Sequence, residues 1–449
     1  MKMRTLHFLC LLLILLFQIL SGNEIFFVSS KCLDDQKSLL LQLKSSLQYD
    51  SSLSTKLARW NDNTSECCKW DGVKCDLYGH VIALELDNEL ISCGVEDLSA
   101  LLSFEYLEKL NLAYNRFDVG IPVGIYNLVN LKYLNLSNAG FFGQSPMMLS
   151  RLTRLVILDL STLFQPLKFE SLDFIKNLTE LRELYLDGVD ISAQRNEWCQ
   201  SLSSYLPNLT VLSLRGCQVS GPIDDSLSNL RFLSVIYLDQ NSLSTTVPQY
   251  FAKFSNLTSL SLSSCNLRGA FPEIIFRVQS LEMLDLSNNK MLSGRIPNFP
   301  KNGSLRTISL SNTKFSGLLP ESISNLQNLS KLELSNCNLS GPIPSTMENL
   351  TNLVYLGFSL NHFTSSIPYF QRSNKLTYLD LSYNSLTGVL SPAHFEGLSE
   401  LVYINLGNNL LNGILPAYIF ELPSLQKLFL CNNEFVGQPP IFDDLCYGP

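Results

Sequence analysis

From Leu107 onward apolar residues return in the order Leu-x-x-Leu-x-Leu. The starts are Leu107, Leu131, Leu155, Leu181, Leu209, Leu233, Leu257, Leu281, Leu305, Leu329, Leu353, Leu376, Leu401 and Leu425, after an irregular forerunner at Val81. Nine of the thirteen intervals between them are 24 residues long. Regular spacing in this range marks a solenoid, in which each unit buries its apolar face only against the next. Within a unit the alternation predicts a short strand whose leucines point inward while the residues between them face solvent. Stacked coils then pair these strands into one parallel sheet.

Eight residues after the opening leucine, half of the units carry asparagine: Asn115, Asn241, Asn289, Asn361, Asn384, Asn409 and Asn433. A buried amide there can satisfy backbone groups as the chain leaves the strand, so an inner ladder is expected. Cys217, Cys265 and Cys337 take the same slot and read as small buried thiols replacing the amide. Thr313, Ala139, Val189 and Leu163 fill it elsewhere, where the ladder should be weaker. Beyond it many units reach a glycine and then a proline, as at Gly269 and Pro272, Gly317 and Pro320, or Gly413 and Pro416. The first permits a turn and the second holds an extended backbone.

A solenoid must cover its exposed first coil. Residues 31–80 read as that cap, between a leader at 1–30 and repeats at 81–440, with an irregular tail at 441–449. Asp34 and Asp35 can open a helix, Leu39, Leu43 and Leu47 share one of its faces, and Trp60 and Trp70 supply large apolar plugs. Cys32, Cys67, Cys68 and Cys75 can staple the cap, and spacing alone leaves three connectivities open. A zinc site is disfavoured because no histidine is interleaved.

Met1 to Arg4 carry two positive charges, Leu6 to Leu20 is almost unbroken apolar sequence, and small or polar residues follow. This order is that of a secretory leader cut between residues 22 and 30. Export makes disulfides permissible for the cysteines that remain, whose odd number leaves at least one unpaired. Net charge is −8 without a basic cluster, which excludes nucleic acid as a natural partner. Nine glycosylation sequons are present, at Asn63, Asn135, Asn177, Asn208, Asn256, Asn302, Asn328, Asn338 and Asn349. Asn135 stands out because it lies in a strand on the presumed ligand side.

Catalysis finds little support. Four histidines exist, and His80, His362 and His394 lie outside the repeat strands. There is no phosphate-binding glycine loop, metal-ligand spacing or nucleophile elbow, so neither cofactor nor metal is expected. The solvent-facing strand residues instead form a continuous concave surface with an arc on the order of 65 Å. Two places there are candidate ligand sites. One joins Arg182, Glu183, Tyr185 and Asp187 to Arg215, Tyr237 and Asp239, in residue types enriched at interface hot spots. The other is a column of Tyr355, Tyr378 and Tyr403, for which a sheet-stabilising stack is an equal reading. The fourth unit is extended around Gln194 to Cys199, with Trp198 expected to anchor the extension.

The Leu-x-Gly-x-Ile-Pro form, complete at Leu292–Pro297 and Leu339–Pro344, resembles the plant-specific class of leucine-rich repeat. The resemblance implies an α/β solenoid, a superhelix with a second small sheet and a disulfide-stapled N-terminal cap. Cys68-Lys69-Trp70-Asp71-Gly72-Val73-Lys74-Cys75 resembles the plant repeat-cap signature, which implies pairing of Cys32 with Cys67 and of Cys68 with Cys75. With Cys32 to Leu40, Glu183 to Asp190 and Asn196 to Gln200, the chain to about Pro440 resembles plant receptor-like proteins, most closely the Verticillium wilt resistance receptors. That family implies a defence receptor that detects a secreted microbial protein or peptide and signals through co-receptor kinases. Its members continue through further repeats, a membrane-spanning helix and a cytosolic tail. Ile441 to Pro449 fits neither another coil nor the family's C-terminal cap, so a truncated, secreted product is expected, with Cys431 and Cys446 able to close its end. The plasma membrane is the expected location if the chain belongs to a full-length receptor. A soluble inhibitor of microbial cell-wall-degrading enzymes and a non-functional fragment are the alternatives.

Overall fold

The structure, a computed structural model, describes residues 31–61, 63, 66–92, 99–144, 147–163 and 167–436. The leader, Cys93, Cys446 and the tail lie outside the described residues.

A sheet of sixteen strands lines the inner side of the solenoid. Its first strand, Val73–Cys75, runs antiparallel to Val81–Glu85, and each later strand is parallel to its predecessor. The cap thus contributes a strand that the repeat count did not include. In each coil from Leu107 onward three residues form the inner strand, and the middle one pairs in register with its counterpart, as Leu184 does with Leu212 and Leu212 with Ile236. Register is set by burial, for Leu184, Leu212 and Ile236 are all fully buried and a slip of one residue would turn them to solvent.

On the outer side short 3₁₀ helices follow the prolines, for example Glu273–Arg277 after Pro272 and Glu321–Asn325 after Pro320. A second sheet of eight parallel strands runs from Arg268–Ala270 to Glu434–Phe435. Among the described residues, earlier coils carry the pair Gly143–Gln144 and Leu167–Lys168 and the single bridges of Ser92 with Arg116, Lys168 with Asp190 and Ser220 with Ser242. The extended fourth unit reaches the flank of the next coil. Its Asn196 packs against Gly221, where a Cβ would meet the Asn196 Oδ1 at 1.8 Å, in a coil whose flank makes only the bridge between Ser220 and Ser242. The extension itself forms the helix Trp198–Tyr205, and Trp198 is fully buried, as an anchor should be.

The inner ladder forms as expected. Asn289 Nδ2 donates to the carbonyls of Leu262 (2.8 Å), Leu286 (2.8 Å) and Ser287 (3.2 Å), while its Oδ1 accepts the N–H groups of Cys265 (3.0 Å) and Leu267 (2.9 Å). The thiols of Cys217, Cys265 and Cys337 donate to the equivalent carbonyls, Leu186 (2.9 Å), Leu238 (3.0 Å) and Leu310 (3.1 Å). Burial pushes the Cys265 thiol up to about 12, so it stays protonated. Ala139 and Val189 are buried in the slot, but Leu163 is not weakly laddered: it is turned out to solvent and 75% exposed. It forms one wall of a cavity of about 530 Å³ shared with Tyr114, Arg116 and Asn138.

A second asparagine ladder runs one residue earlier, on the exposed rim. Asn312 Nδ2 donates to Asn288 Oδ1 (2.8 Å), Asn336 Nδ2 to Asn312 Oδ1 (2.6 Å) and Asn432 Nδ2 to Asn408 Oδ1 (2.7 Å). Each of these asparagines has positive φ, between 53° and 59°, a backbone region that asparagine tolerates better than most residues.

The cap is built on the helix Asp34–Ser46, whose buried side is Gln36, Leu40 and Leu43, continued by Leu47 beyond the helix. Leu39 lies at the margin of that face, half-buried. Trp60 and Trp70 stack with ring centroids 5.6 Å apart and plug the end of the core. Disulfides join Cys32 to Cys67 and Cys68 to Cys75, the pairing the cap signature implied. Cys199, Cys217, Cys265 and Cys337 are free thiols, and Cys431 is disulfide-bonded. The fully buried Glu89 ties cap to solenoid: its carboxylate accepts the backbone N–H groups of Lys56 (3.0 Å) and Leu57 (3.0 Å) and the hydroxyls of Ser54 and Thr55.

Candidate functional site: the concave face

The inner sheet sets side chains in columns one strand apart, and the charged cluster occupies three neighbouring strands, Glu183–Tyr185, Val211–Ser213 and Val235–Tyr237. Arg215 is its centre. Its Nε donates to Asp239 Oδ2 at 2.9 Å, its Nη1 lies 3.6 Å from Asp187 Oδ2, and its guanidinium carbon sits 3.8 Å from the centroid of the Tyr237 ring. The two aspartates are themselves fixed. Asp187 accepts the Ser213 hydroxyl (2.6 Å) and the Arg215 N–H (2.9 Å), and Asp239 accepts the Ser263 N–H (2.9 Å) and the Ser261 hydroxyl.

The neighbouring Tyr185 hydroxyl donates to Glu183 Oε2 at 2.9 Å. Burial and the Glu183 carboxylate push this hydroxyl well above the ordinary tyrosine range. Arg182 precedes its strand, is exposed, and makes no ion pair with the network among the described residues. Six of the seven expected residues therefore share one preorganised patch, and Arg182 sits at its border.

The tyrosine column is a stack. Tyr355 and Tyr378 lie 4.3 Å apart and 4° from parallel, and Tyr378 and Tyr403 lie 4.4 Å apart and 6° from parallel. Lys331 Nζ covers the outer side of Tyr355 at 5.0 Å, and Phe429 flanks Tyr403 at 5.6 Å. Ring faces are thus occupied by one another, and the Tyr378 hydroxyl lies 3.5 Å from Asp380 Oδ2. This geometry suits a cross-strand stabiliser, and it leaves the rings no free face for stacking on a ligand.

Along the same face stand carboxylates that the sequence reading did not single out, Asp159 one strand before the charged cluster, Asp285 between the two sites and Asp380 on a strand of the tyrosine column. Asp159, Asp285 and Asp380 are pushed above the usual carboxylate range, chiefly by burial and also by Asp187, Asp239 and Glu333 respectively. Each also accepts an N–H two residues on, from Ser161, Ser287 or Ser382. The Asp-x-Ser spacing in three strands was the available signal.

Among the sequons Asn135 does project from a concave strand, half-buried, with its Oδ1 accepting the Ser137 N–H at 2.9 Å. His80 stacks on Tyr106 at 4.0 Å, His394 is buried beside Ser391, and His362 opens a strand of the second sheet. None of the three belongs to the concave patch. Cys32, Cys67 and Cys68 bring their sulfurs together, but those sulfurs are committed to disulfides.

Comparison with known proteins matches this architecture. Residues 33–76 match the leucine-rich-repeat N-terminal domain, and leucine-rich-repeat models match 207–267, 364–435 and four single units between 106 and 350. The chain thus carries leucine-rich repeats behind a leucine-rich-repeat N-terminal domain, and it is similar to plant receptor-like proteins. Receptor-like protein 6 of Arabidopsis thaliana is 33% identical over 245 residues, which is 49% of this chain and 24% of that protein. Receptor-like protein EIX1 of Solanum lycopersicum is also 33% identical, over 51% of this chain and 23% of its own length. The chain thus spans about a quarter of the length of these relatives. Among solved structures, the Arabidopsis HAESA ectodomain shares the fold with a TM-score of 0.70 at 23% identity, over 90% of this chain and 78% of that one. The PEPR1–AtPEP1 structure has a TM-score of 0.55 at 25% identity, over 90% of this chain and 66% of that one. Among the described residues no helix is long and apolar enough to cross a membrane.

Proposed function

We propose that this chain is the ligand-binding part of a defence-related receptor-like protein, close in kind to the Verticillium wilt resistance receptors. It takes a secreted microbial protein or peptide on its concave face outside the cell, at the plasma membrane when part of a full-length receptor, and works with co-receptor kinases rather than by catalysis. The observation that carries this reading is the Arg215 patch: an arginine stacked on Tyr237 and held between Asp187 and Asp239. Arginine and tyrosine held in place before contact lose little entropy when a partner arrives. The receptor-like relatives and the peptide-bound PEPR1 neighbour support the same reading.

The experiment is a pull-down of secreted microbial proteins on the immobilised chain, followed by titration of the captured ligand. Arg215→Ala and Tyr237→Ala should each weaken binding by about 2 kcal/mol, roughly thirtyfold. Tyr378→Ala, in the closed stack, should cost stability and leave affinity within about twofold. Unchanged affinity in both patch variants would move the ligand site elsewhere.

A further inference from the structure

The nine sequons are not scattered evenly around the coil. Asn177, Asn208, Asn256, Asn302, Asn328 and Asn349 all fall within four residues before the leucine that opens a concave strand. They therefore line one rim, the one leading into the inner sheet, through the coils from Leu181 to Leu353. Five of the six are exposed, and Asn349 is half-buried. None of the asparagines in either ladder belongs to a sequon, although the ladders are where this chain concentrates the residue.

Hydrogen-bond arithmetic separates these groups. In N-glycosylation a sugar's anomeric carbon leaves a lipid-linked diphosphate and bonds to Nδ2. The amide gives up one of its two protons to the departing diphosphate and keeps one N–H. A ladder asparagine cannot spare that proton: Asn289 Nδ2 serves the carbonyls of Leu262 and Leu286, and Asn409 Nδ2 those of Leu381 and Leu406. A rim asparagine can. Asn208 Nδ2 donates to one carbonyl, Thr179, at 2.9 Å, and Asn349 is held through its Oδ1 by Arg372.

Of the other three sequons, Asn63 is in the cap outside the repeats, and two lie in strands. Asn135 is half-buried, with Asn111 and Asp159 at the paired positions on either side. Asn338 opens a strand of the second sheet, and its Oδ1 lies 3.1 Å from His362 Nε2 of the next coil. A glycan at Asn135 would displace neighbours on both paired strands, and one at Asn338, which is exposed, would stand over the second sheet beside His362.

We propose that the N-glycans of this chain form a one-sided coat at Asn177, Asn208, Asn256, Asn302, Asn328 and Asn349. Asn135 and Asn338 stay bare, so that the concave face and the flank carrying the outer ladder and second sheet form one continuous sugar-free surface. The pattern does not depend on the identity of the ligand or on the Arg215 patch. It is tested by secreting the full chain from plant cells, releasing glycans with an N-glycan amidase in heavy-oxygen water, and mapping asparagine-to-aspartate conversion by peptide mass spectrometry. Conversion in most molecules at the six rim positions and in few at Asn135 and Asn338 is expected. Conversion at Asn135 or Asn338 as complete as on the rim would overturn the proposal, as would a largely unconverted rim. The intact mass gives a second reading: Asn256→Gln should remove one glycan, and Asn135→Gln none. The mapping itself needs no variant, so a substitution that impairs folding leaves it decisive.

Discussion

A buried ladder asparagine serves two coils at once, closing carbonyls of its own turn and of the coil before it while accepting N–H groups from that same preceding coil. A ladder cysteine supplies only the donor half of this, through a weak S–H bond. The two residue types therefore differ in what their removal strands. Asn289→Ala leaves a fully buried site with unsatisfied donors and acceptors and should cost about 3 kcal/mol. Cys265→Ala forfeits one weak bond and should cost about 1 kcal/mol. Urea unfolding of the two variants checks the order, and equal losses would show that the amide adds nothing beyond its volume. The proline-led turns and the inner ladder were legible because they depend on residue type at a fixed offset. The outer ladder was not anticipated, although the doublets Asn288-Asn289, Asn408-Asn409 and Asn432-Asn433 carried part of its signal. Nor was Leu163: a leucine in a repeat slot reads as core, and only the path of the chain shows it turned outward.

At the scale of the element, the junction of cap and solenoid turns on Glu89. Its carboxylate closes the start of the 3₁₀ helix Leu57–Arg59, and burial, which alone would raise its pKa, is outweighed by hydrogen bonds from Ser54, Leu57, Thr55 and Lys56 that hold it below the usual range. A carboxyl whose folded pKa is depressed stabilises the native state above its unfolded pKa. It loses that contribution as pH falls through the folded value. The cap of the parent protein should therefore loosen below about pH 4, whereas Glu89→Gln should be weaker at neutral pH and nearly flat over the same acid range. Hydrogen exchange at Lys56 and Leu57 against pH reads this directly, and parallel profiles for the two proteins would remove Glu89 from the account. The cap helix and its tryptophan plugs could be anticipated from spacing and size. Glu89 could not, because its partners lie more than thirty residues earlier and no periodicity links them.

Over the whole molecule, order belongs to neighbouring coils together, since each strand is only as protected as the strands beside it. Leu401 and Ile404 are fully buried, but their counterparts one coil later, Leu425 and Leu428, are only half-buried. Local opening should accordingly be easier at Lys427–Phe429 than in coils whose leucines are fully buried. Amide exchange at Lys427–Phe429 should run at least about tenfold faster than at Val235–Tyr237, and equal protection at both would contradict it. The concave patch lies in the protected middle, which keeps Arg215 and its partners in register while the last coil breathes.

The late start of the second sheet divides the molecule mechanically. Coils from Arg268 onward are tied along a second side by a continuous sheet, whereas earlier described coils are tied there only by single bridges and one short strand pair. A strip fastened along one side can twist about that side, and a strip fastened along two resists torsion as a girder does. The Arg215 patch stands just before this change in stiffness, so a ligand reaching from it toward Lys331 would bridge a compliant segment and a rigid one, and its binding would fix the angle between them.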